Sequence, residues 1–135
     1  MRCLIDTQIL LWSVYQPEKI PSGLASRLIE PASEILFSSV SLAEIAIKFS
    51  LGRADFPFLP DEVGSVAIET GFTELPLTWR QSARLAGLPW HHRDPFDRLL
   101  VAQALEEGLK LITTDGHLSR YSDLVERIPR QATIG

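Results

Sequence analysis

The sequence is poor in several features that would each point to a particular class of protein. It has one cysteine, Cys3, which cannot form an internal disulfide, so we expect a reducing, cytoplasmic location. No apolar run approaches the roughly 18 residues that cross a membrane, and no small-residue cleavage site follows the first apolar run. Repeats and low-complexity tracts are also missing. We therefore expect neither a membrane association nor a signal peptide.

Positive charge is also in deficit, because 13 basic residues face 17 acidic ones and give a net charge of −4. This balance argues against a broad basic surface for nucleic acid. A local one remains possible, since Arg80, Arg84, Arg93 and Arg98 are concentrated beside Asp94 and Asp97. The length of 135 residues and the hydrophobic content of 45% predict one globular domain over residues 1–135.

Apolar runs that resemble strands alternate with segments of helical spacing along the whole chain. Strands are predicted at 2–5, 34–39, 73–77 and 110–114, and helices at 7–15, 22–30, 41–52, 61–71, 78–87 and from Pro95 to about 108. Ser41 followed by Glu44 suggests a capping box, and Asp94 before Pro95 suggests another helix start. The chain after Asp115 gives a short turn and a poorly defined tail. The alternation predicts an α/β fold with a parallel sheet covered on both faces.

Five acidic residues lie where such a fold gathers them. Asp6 and Asp115 directly follow predicted strands, and Glu44, Asp94 and Asp97 lie in the first turns of helices. In a parallel sheet the strand ends and the following helix starts share one edge, which is where binding crevices form. We therefore expect the five acids to converge, provided that the strands ending at 5, 38 and 114 are neighbours.

Helix capping alone does not explain such a gathering. Two like charges about 4 Å apart repel by roughly 4 kcal/mol at an effective dielectric near 20, whereas a helix N-terminus offsets only about 0.3–1 kcal/mol. Some of the acids are therefore protonated, or a cation is present. Carboxylate oxygens without thiolate ligands favour Mg²⁺, with Mn²⁺ as the second choice, and such ions serve phosphoryl chemistry.

With these residues in view, the chain resembles the PIN-domain family, and within it the VapC-type ribonuclease toxins of type II toxin–antitoxin systems. The resemblance rests on four segments, "LIDTQILLW", "SLAEIAIK", "HHRDPFDRLLVAQA" and "LITTDGHL". They present Asp, Glu, Asp and Asp in the family's order over nearly the full length. One departure is Gln8, where relatives that read D-T-H-x-L-L-W carry histidine.

The resemblance implies a three-layer α/β/α sandwich with a central, mainly parallel sheet. It implies an Mg²⁺-dependent endoribonuclease that is held inactive by a cognate antitoxin protein and that forms a homodimer. Asp6, Glu44, Asp97 and Asp115 match the family's acidic quartet as catalytic residues and metal ligands. Asp94 matches an extra aspartate of one subgroup, as a fifth metal ligand or as a helix cap. Arg98, Arg93 or Lys48 would then contact the RNA backbone.

Simpler roles for the same residues stay open. Asp6 and Asp94 could only cap helices, Glu44 could only pair with Lys48, and Asp115 could only form a turn before Gly116. His91 and His92 are expected in a loop or against RNA rather than at a metal, because adjacent histidines do not easily face one ion. A catalytically degenerate PIN domain that binds RNA or protein is the alternative function. An aspartyl phosphatase is a weak one, because position 8 is Gln8 rather than a second aspartate.

Overall fold

The computed structural model describes residues 1–128, and five strands in them form one sheet. The strands are β1 (Arg2–Ile5), β2 (Glu34–Ser38), β3 (Thr73–Leu75), β4 (Lys110–Thr113) and β5 (Val125–Arg127). They pair in the order β3-β2-β1-β4-β5, and every pairing is parallel. The expected neighbours are confirmed, since β1 lies between β2 and β4. The carboxyl ends of these three strands therefore meet at the centre of one edge.

Six α-helices connect the strands. They are α1 (Thr7–Tyr15), α2 (Ser22–Ile29), α3 (Ser39–Ser50), α4 (Pro60–Thr70), α5 (Trp79–Ala83) and α6 (Pro95–Glu107), with 3₁₀ turns at Pro17–Lys19, Arg84–Gly87 and Leu118–Arg120. Gly71 and Gly108 end α4 and α6 in the left-handed conformation, which glycine adopts easily because it has no Cβ atom to clash with the backbone. None of the helices in residues 1–128 combines the length and hydrophobicity needed to cross a membrane.

The three central strands, β1, β2 and β4, are buried on both faces, and alternate residues divide the core in two. Cys3 and Ile5 of β1 pack with α1, α2 and α4 on one side. Leu4, between them, packs with α6 on the other side. This alternation follows from the period of two in a strand. It produces the predicted three layers, and the expected fold class is confirmed.

Two local predictions need correction. The cap of α3 is Ser38, whose hydroxyl accepts from the Val40 N–H at 2.9 Å, and not Ser41. The Ser41 hydroxyl instead accepts from Thr7 on α1, so it is used in a tertiary contact. Strand β5 was not predicted, because its three residues are too few for a periodic signal. The rest of the tail, residues 129–135, lies outside the described residues.

Candidate metal centre

All five predicted acids line one cavity at the carboxyl edge of the sheet. Its volume is about 250 Å³, and its acidic lining residues are Asp6, Glu44, Asp94, Asp97 and Asp115. We call it the acid pocket. The five acids come from the end of β1, the first half of α3, the start of α6 and the turn after β4. The expected convergence of segments remote in sequence is therefore present in the structure.

Asp6 both caps a helix and faces the acid pocket. Its Oδ1 accepts from the Ile9 N–H at 2.9 Å, which is an N-cap bond at the start of α1. Its Oδ2 accepts from the Thr113 hydroxyl at 2.6 Å and from the Thr114 N–H at 3.3 Å. Burial raises the pKa of Asp6 despite these hydrogen bonds, and the charge of Glu44 acts in the same direction. Capping therefore accounts for only part of this side chain's environment.

Glu44 carries the clearest sign of an unmet interaction. Glu44 is 5% exposed, and its Oε2 forms an ion pair of 2.7 Å with Lys48 Nζ. Its Oε1 is buried and has no hydrogen-bond partner within residues 1–128. A buried acceptor without a partner costs about 1–3 kcal/mol, and more when it is charged. Glu44 lines the acid pocket, where a cation or a water could satisfy this oxygen.

The two aspartates at the start of α6 differ in their surroundings. Asp94 Oδ1 accepts from the Phe96 N–H at 2.9 Å, so Asp94 is the N-cap that the sequence predicted. Burial raises the pKa of Asp97 to about 7, with the charges of Asp94 and Glu44 acting in the same direction. Near neutral pH, Asp97 therefore holds a proton for much of the time unless a cation replaces it.

His92 enters this group, contrary to the expectation that it would lie away from a metal site. Its Nε2 is 2.8 Å from Asp115 Oδ2 and 3.3 Å from Asp97 Oδ2, and possible ligand atoms of the three residues lie within 4.8 Å of one another. The adjacency of His91 does not prevent His92 from approaching the acids, because the His91 ring packs against Tyr121 instead. The only sequence signal was the closeness of His92 to Asp94 and Asp97.

Asp115 has the opposite electrostatic balance to Asp97. Its partial burial alone would raise the pKa, but the His117 N–H and the His92 ring hydrogen-bond to the carboxylate. The result is a pKa below the usual range of an aspartate, so Asp115 is ionised at neutral pH. The acid pocket therefore contains one carboxylate that holds its charge easily beside another that does not.

Arg98 does not reach RNA as the sequence suggested. It is 4% exposed, and it donates to the carbonyls of Pro89, Leu85 and Leu88 at 3.0–3.4 Å. Its guanidinium lies 3.8 Å from the ring centroid of Trp90. Arg98 therefore fixes the loop before α6. Arg93 is exposed and Lys48 lines the acid pocket, so both remain candidates for RNA contact.

A second cavity with basic walls adjoins the acid pocket. Its volume is about 570 Å³, it shares Thr114 and Asp115 with the acid pocket, and its other lining residues are Gly116, His117, Arg120 and Arg127. A Cβ at position 116 would lie 3.3 Å from Arg127 Nε, so glycine there allows the guanidinium to pack against the turn. This places positive charge directly beside the acids.

The residues present fit a divalent cation. The acid pocket offers oxygen ligands from four chain segments, and the partnerless Oε1 of Glu44 lies among them. Mg²⁺ and Mn²⁺ prefer such ligands, whereas zinc sites draw on cysteine and histidine. Asp97 and Asp115 have possible ligand atoms within 4.8 Å of each other, and Asp6 and Glu44 line the same pocket, so these four side chains could hold the ion.

Comparisons with known proteins agree with this geometry. The model of the PIN domain family matches residues 3–124. The chain is 28% identical over 132 residues to "Ribonuclease VapC22" of Mycobacterium tuberculosis, covering 97% of this chain and 96% of that protein. The solved structure of VapBC2 from Rickettsia felis bound to a promoter DNA fragment aligns with a TM-score of 0.68 at 17% identity, over 94% of this chain and 98% of that one. VapBC-1 from nontypeable Haemophilus influenzae gives 0.62 at 16%, over 96% and 98%. At these identities the two structures establish a shared fold.

Proposed function

The chain belongs to the PIN domain family, and from that premise we propose that it is an Mg²⁺-dependent endoribonuclease. The observation that carries the proposal is the acid pocket, which is lined by carboxylates from remote segments and in which one oxygen of Glu44, Oε1, is buried without a partner. A purely structural cluster would not gather these charges without compensation. The relative named as a ribonuclease supports the choice of RNA as substrate.

In the proposed mechanism, Asp6, Glu44, Asp97 and Asp115 hold the cation at the acid pocket. Bound Mg²⁺ supplies Lewis-acid stabilisation of the phosphodiester and activation of water. Lys48 pairs with Oε2 of Glu44, which leaves Oε1 as the oxygen of Glu44 that could help to hold the ion. Thr113 and the backbone of Thr114 fix the Asp6 carboxylate by donating to its Oδ2.

The substrate's phosphates would extend from the acid pocket over the basic cavity beside it. Arg120 and Arg127 line that cavity, and neither forms an ion pair with a carboxylate within residues 1–128. Arginine without an internal partner is available for bidentate contact with phosphate. We assign these two arginines to the RNA backbone in place of Arg98.

The biological role that we propose is the toxin of a toxin–antitoxin pair, acting in the cytoplasm. The solved neighbours are VapBC complexes, and the one from Rickettsia felis is bound to a fragment of its promoter. By analogy, this chain would bind a small cognate antitoxin. Homodimer formation stays a prediction, and sedimentation of the purified chain tests it.

Cleavage of structured RNA by the purified, antitoxin-free chain tests the proposed activity. We expect cleavage in Mg²⁺ and in Mn²⁺ and none in chelator. Asp6→Asn and Asp97→Asn should each slow cleavage by about 1,000-fold, because loss of a metal ligand removes several kcal/mol of transition-state stabilisation.

The matched control is Asp55→Asn, which makes the same chemical change in an exposed aspartate whose partner is Arg53. It should cleave like the unmodified protein. Cleavage that survives chelator, or that survives in both Asp6→Asn and Asp97→Asn, would refute the metal mechanism. Tight RNA binding without cleavage in any ion would favour the degenerate binding module.

A further inference from the structure

We propose that His92 is a positioning residue that donates a hydrogen bond to the carboxylate of Asp115, beside Asp97, and does not itself bind the ion. This inference rests on the proposed metal centre. It concerns a residue that the acidic quartet does not include. Simple proximity would suggest the reverse, because the ring nitrogen lies as close to Asp97 and Asp115 as a ligand would.

The tautomer of the ring decides between these roles. The backbone N–H of Asp94 donates to His92 Nδ1 at 3.0 Å. A backbone amide is always a donor, so Nδ1 must be the unprotonated nitrogen. In the neutral ring the proton is therefore on Nε2, the nitrogen that faces the two carboxylates. An Nε2 that carries a proton cannot bind a metal ion.

Metal binding through Nε2 would require the proton to move to Nδ1. Two N–H groups, that of Nδ1 and that of Asp94, would then oppose each other across 3.0 Å. Asp94 is the N-cap of α6, so its displacement would disturb the helix that carries Asp97. The fold thus favours the donor role and opposes the ligand role.

The main chain at position 92 is also held in place. The His92 N–H donates to Tyr121 Oη at 3.0 Å, and the same oxygen accepts from Arg98 Nη1 at 3.3 Å. Arg98 is buried and bound to loop carbonyls, so it anchors the whole contact. The ring also packs edge to face against His117, with 5.8 Å between centroids. This provides a physical reason for a buried arginine beside the acid pocket.

The consequence is a fixed separation between two acids from different elements. Nε2–H donates to Asp115 Oδ2 at 2.8 Å, and the same nitrogen lies 3.3 Å from Asp97 Oδ2. The hydrogen bond orients the Asp115 carboxylate, and the N–H dipole beside Asp97 reduces the repulsion between the two acids. Hydrogen bonds of this kind to metal-binding side chains typically account for about 10–100-fold in metal affinity.

Calorimetric titration with Mn²⁺ and with Ni²⁺ tests the inference without RNA or turnover. We expect His92→Ala to lower the affinity for both ions by a similar factor, in the range of about 10–100-fold. His92→Gln should restore most of the affinity, because its amide can still donate. If the ring were a ligand, the loss for Ni²⁺ would greatly exceed that for Mn²⁺, since imidazole favours Ni²⁺.

The matched control is His91→Ala, in the adjacent histidine that packs on Tyr121 and contacts none of the acids. It should bind both ions like the unmodified chain. Equal affinities of His92→Ala and His91→Ala would overturn the inference. Failure of the unmodified chain to bind any ion would instead refute the proposed metal centre.

Nitrogen-15 NMR of the His92 ring, assigned with the His92→Gln variant, tests the tautomer directly. We expect a proton on Nε2 both in chelator and with Mg²⁺. A proton on Nδ1 in chelator would contradict the geometry even if no ion binds. A shift of the proton from Nε2 to Nδ1 when Mg²⁺ binds would show that the ring is a ligand.

Discussion

Two buried polar clusters lie in this domain, and they satisfy their polar atoms in opposite ways. The first is the acid pocket. The second, the glutamine network, comprises Ser38, Gln81, Gln103 and Glu107. Gln103 accepts from the Ser38 hydroxyl and donates to Gln81 Oε1 at 3.1 Å, and Gln81 donates to Glu107 at 3.0 Å. None of the side-chain atoms of these four residues is left buried and unpaired within the described chain.

The glutamine network is even more deeply buried at its centre than the acid pocket. Ser38 and Gln103 are 0% exposed, whereas Asp6 is 6% exposed and Glu44 is 5% exposed. Burial of polar groups therefore does not distinguish the candidate site. The difference is that the network's amides and hydroxyl complete one another, while the acids repel one another and leave Glu44 Oε1 without a partner. Repulsion among carboxylates together with an unpaired carboxylate oxygen, rather than polarity, distinguishes the acid pocket.

The largest expected difference between the clusters is in pH dependence. In chelator, the free energy of unfolding should fall by a few kcal/mol between pH 5 and pH 8. The pKa of Asp97 is raised to about 7, so the folded state holds a proton that the unfolded state has released. Stability is therefore lost as the pH rises toward 7. Asp6 acts in the same direction, and the lowered pKa of Asp115 matters only at lower pH.

Urea unfolding at the two pH values measures this fall. Asp97→Asn should reduce it, because an amide has no proton to release. Gln103→Ala should retain the full pH dependence, since it removes no titratable group. A metal-free protein that is equally stable at both pH values would contradict the described electrostatics of the acid pocket.

Added metal should separate the clusters almost as strongly. At a concentration of Mg²⁺ 100 times its dissociation constant, binding to the folded state raises the free energy of unfolding by about 2.7 kcal/mol. The increase should disappear in Glu44→Gln, which replaces one acidic oxygen with an amide nitrogen, and persist in Gln103→Ala. Thermal unfolding with Mg²⁺ and with chelator provides the measurement, and an increase of equal size in Glu44→Gln would exclude Glu44 from the site.

Removal of one member of the glutamine network should cost stability and leave the chemistry intact. Gln103→Ala removes the acceptor of the Ser38 hydroxyl proton and one of the two donors to Gln81 Oε1, which costs about 2 kcal/mol. Urea unfolding measures the loss. Metal affinity by calorimetry should stay within the error of the unmodified protein. A loss of metal binding equal to that of Glu44→Gln would show that the two clusters are one functional unit.

Asp94 should give the smallest effect. Its carboxylate caps α6, and asparagine is an equally good cap, so Asp94→Asn should change the free energy of unfolding by less than about 0.5 kcal/mol. Asp94→Ala, which removes the cap, should cost about 1 kcal/mol. Calorimetry on the Asn variant then separates the two roles, because loss of a direct ligand would weaken Mg²⁺ binding far more than loss of a nearby charge.

Sequence patterns predicted the placement of the acids because their positions follow from strand ends. Asp6 directly follows β1 and Asp115 lies two residues after the end of β4, and the parallel pairing of those strands brings the two acids to the same edge. The first turn of α6, which carries Asp97, was also predicted from the sequence, because Asp94 followed by Pro95 is typical of a helix start. These local signals were sufficient because the pairing of regular strands brings residues that are distant in sequence to the same edge of the sheet.

Features that depend on tertiary contact were not predictable in the same way. Ser38 and Ser41 are both plausible caps, and the choice follows from the contact that Thr7 makes with Ser41. His92 lies in an irregular loop whose course depends on Arg98 and Tyr121. No periodicity describes such a loop, so sequence analysis put His92 outside the site and assigned Arg98 to RNA.

The order of strands also has a consequence for the synthesis of the chain. Strand β4 and Asp115 leave the ribosome long after β1, the strand with which β4 pairs. A nascent chain that ends before residue 115 therefore lacks one wall of the acid pocket. If the proposed nuclease function holds, such a chain has no complete centre next to ribosomal and messenger RNA, and activity begins only after every wall of the pocket has been made.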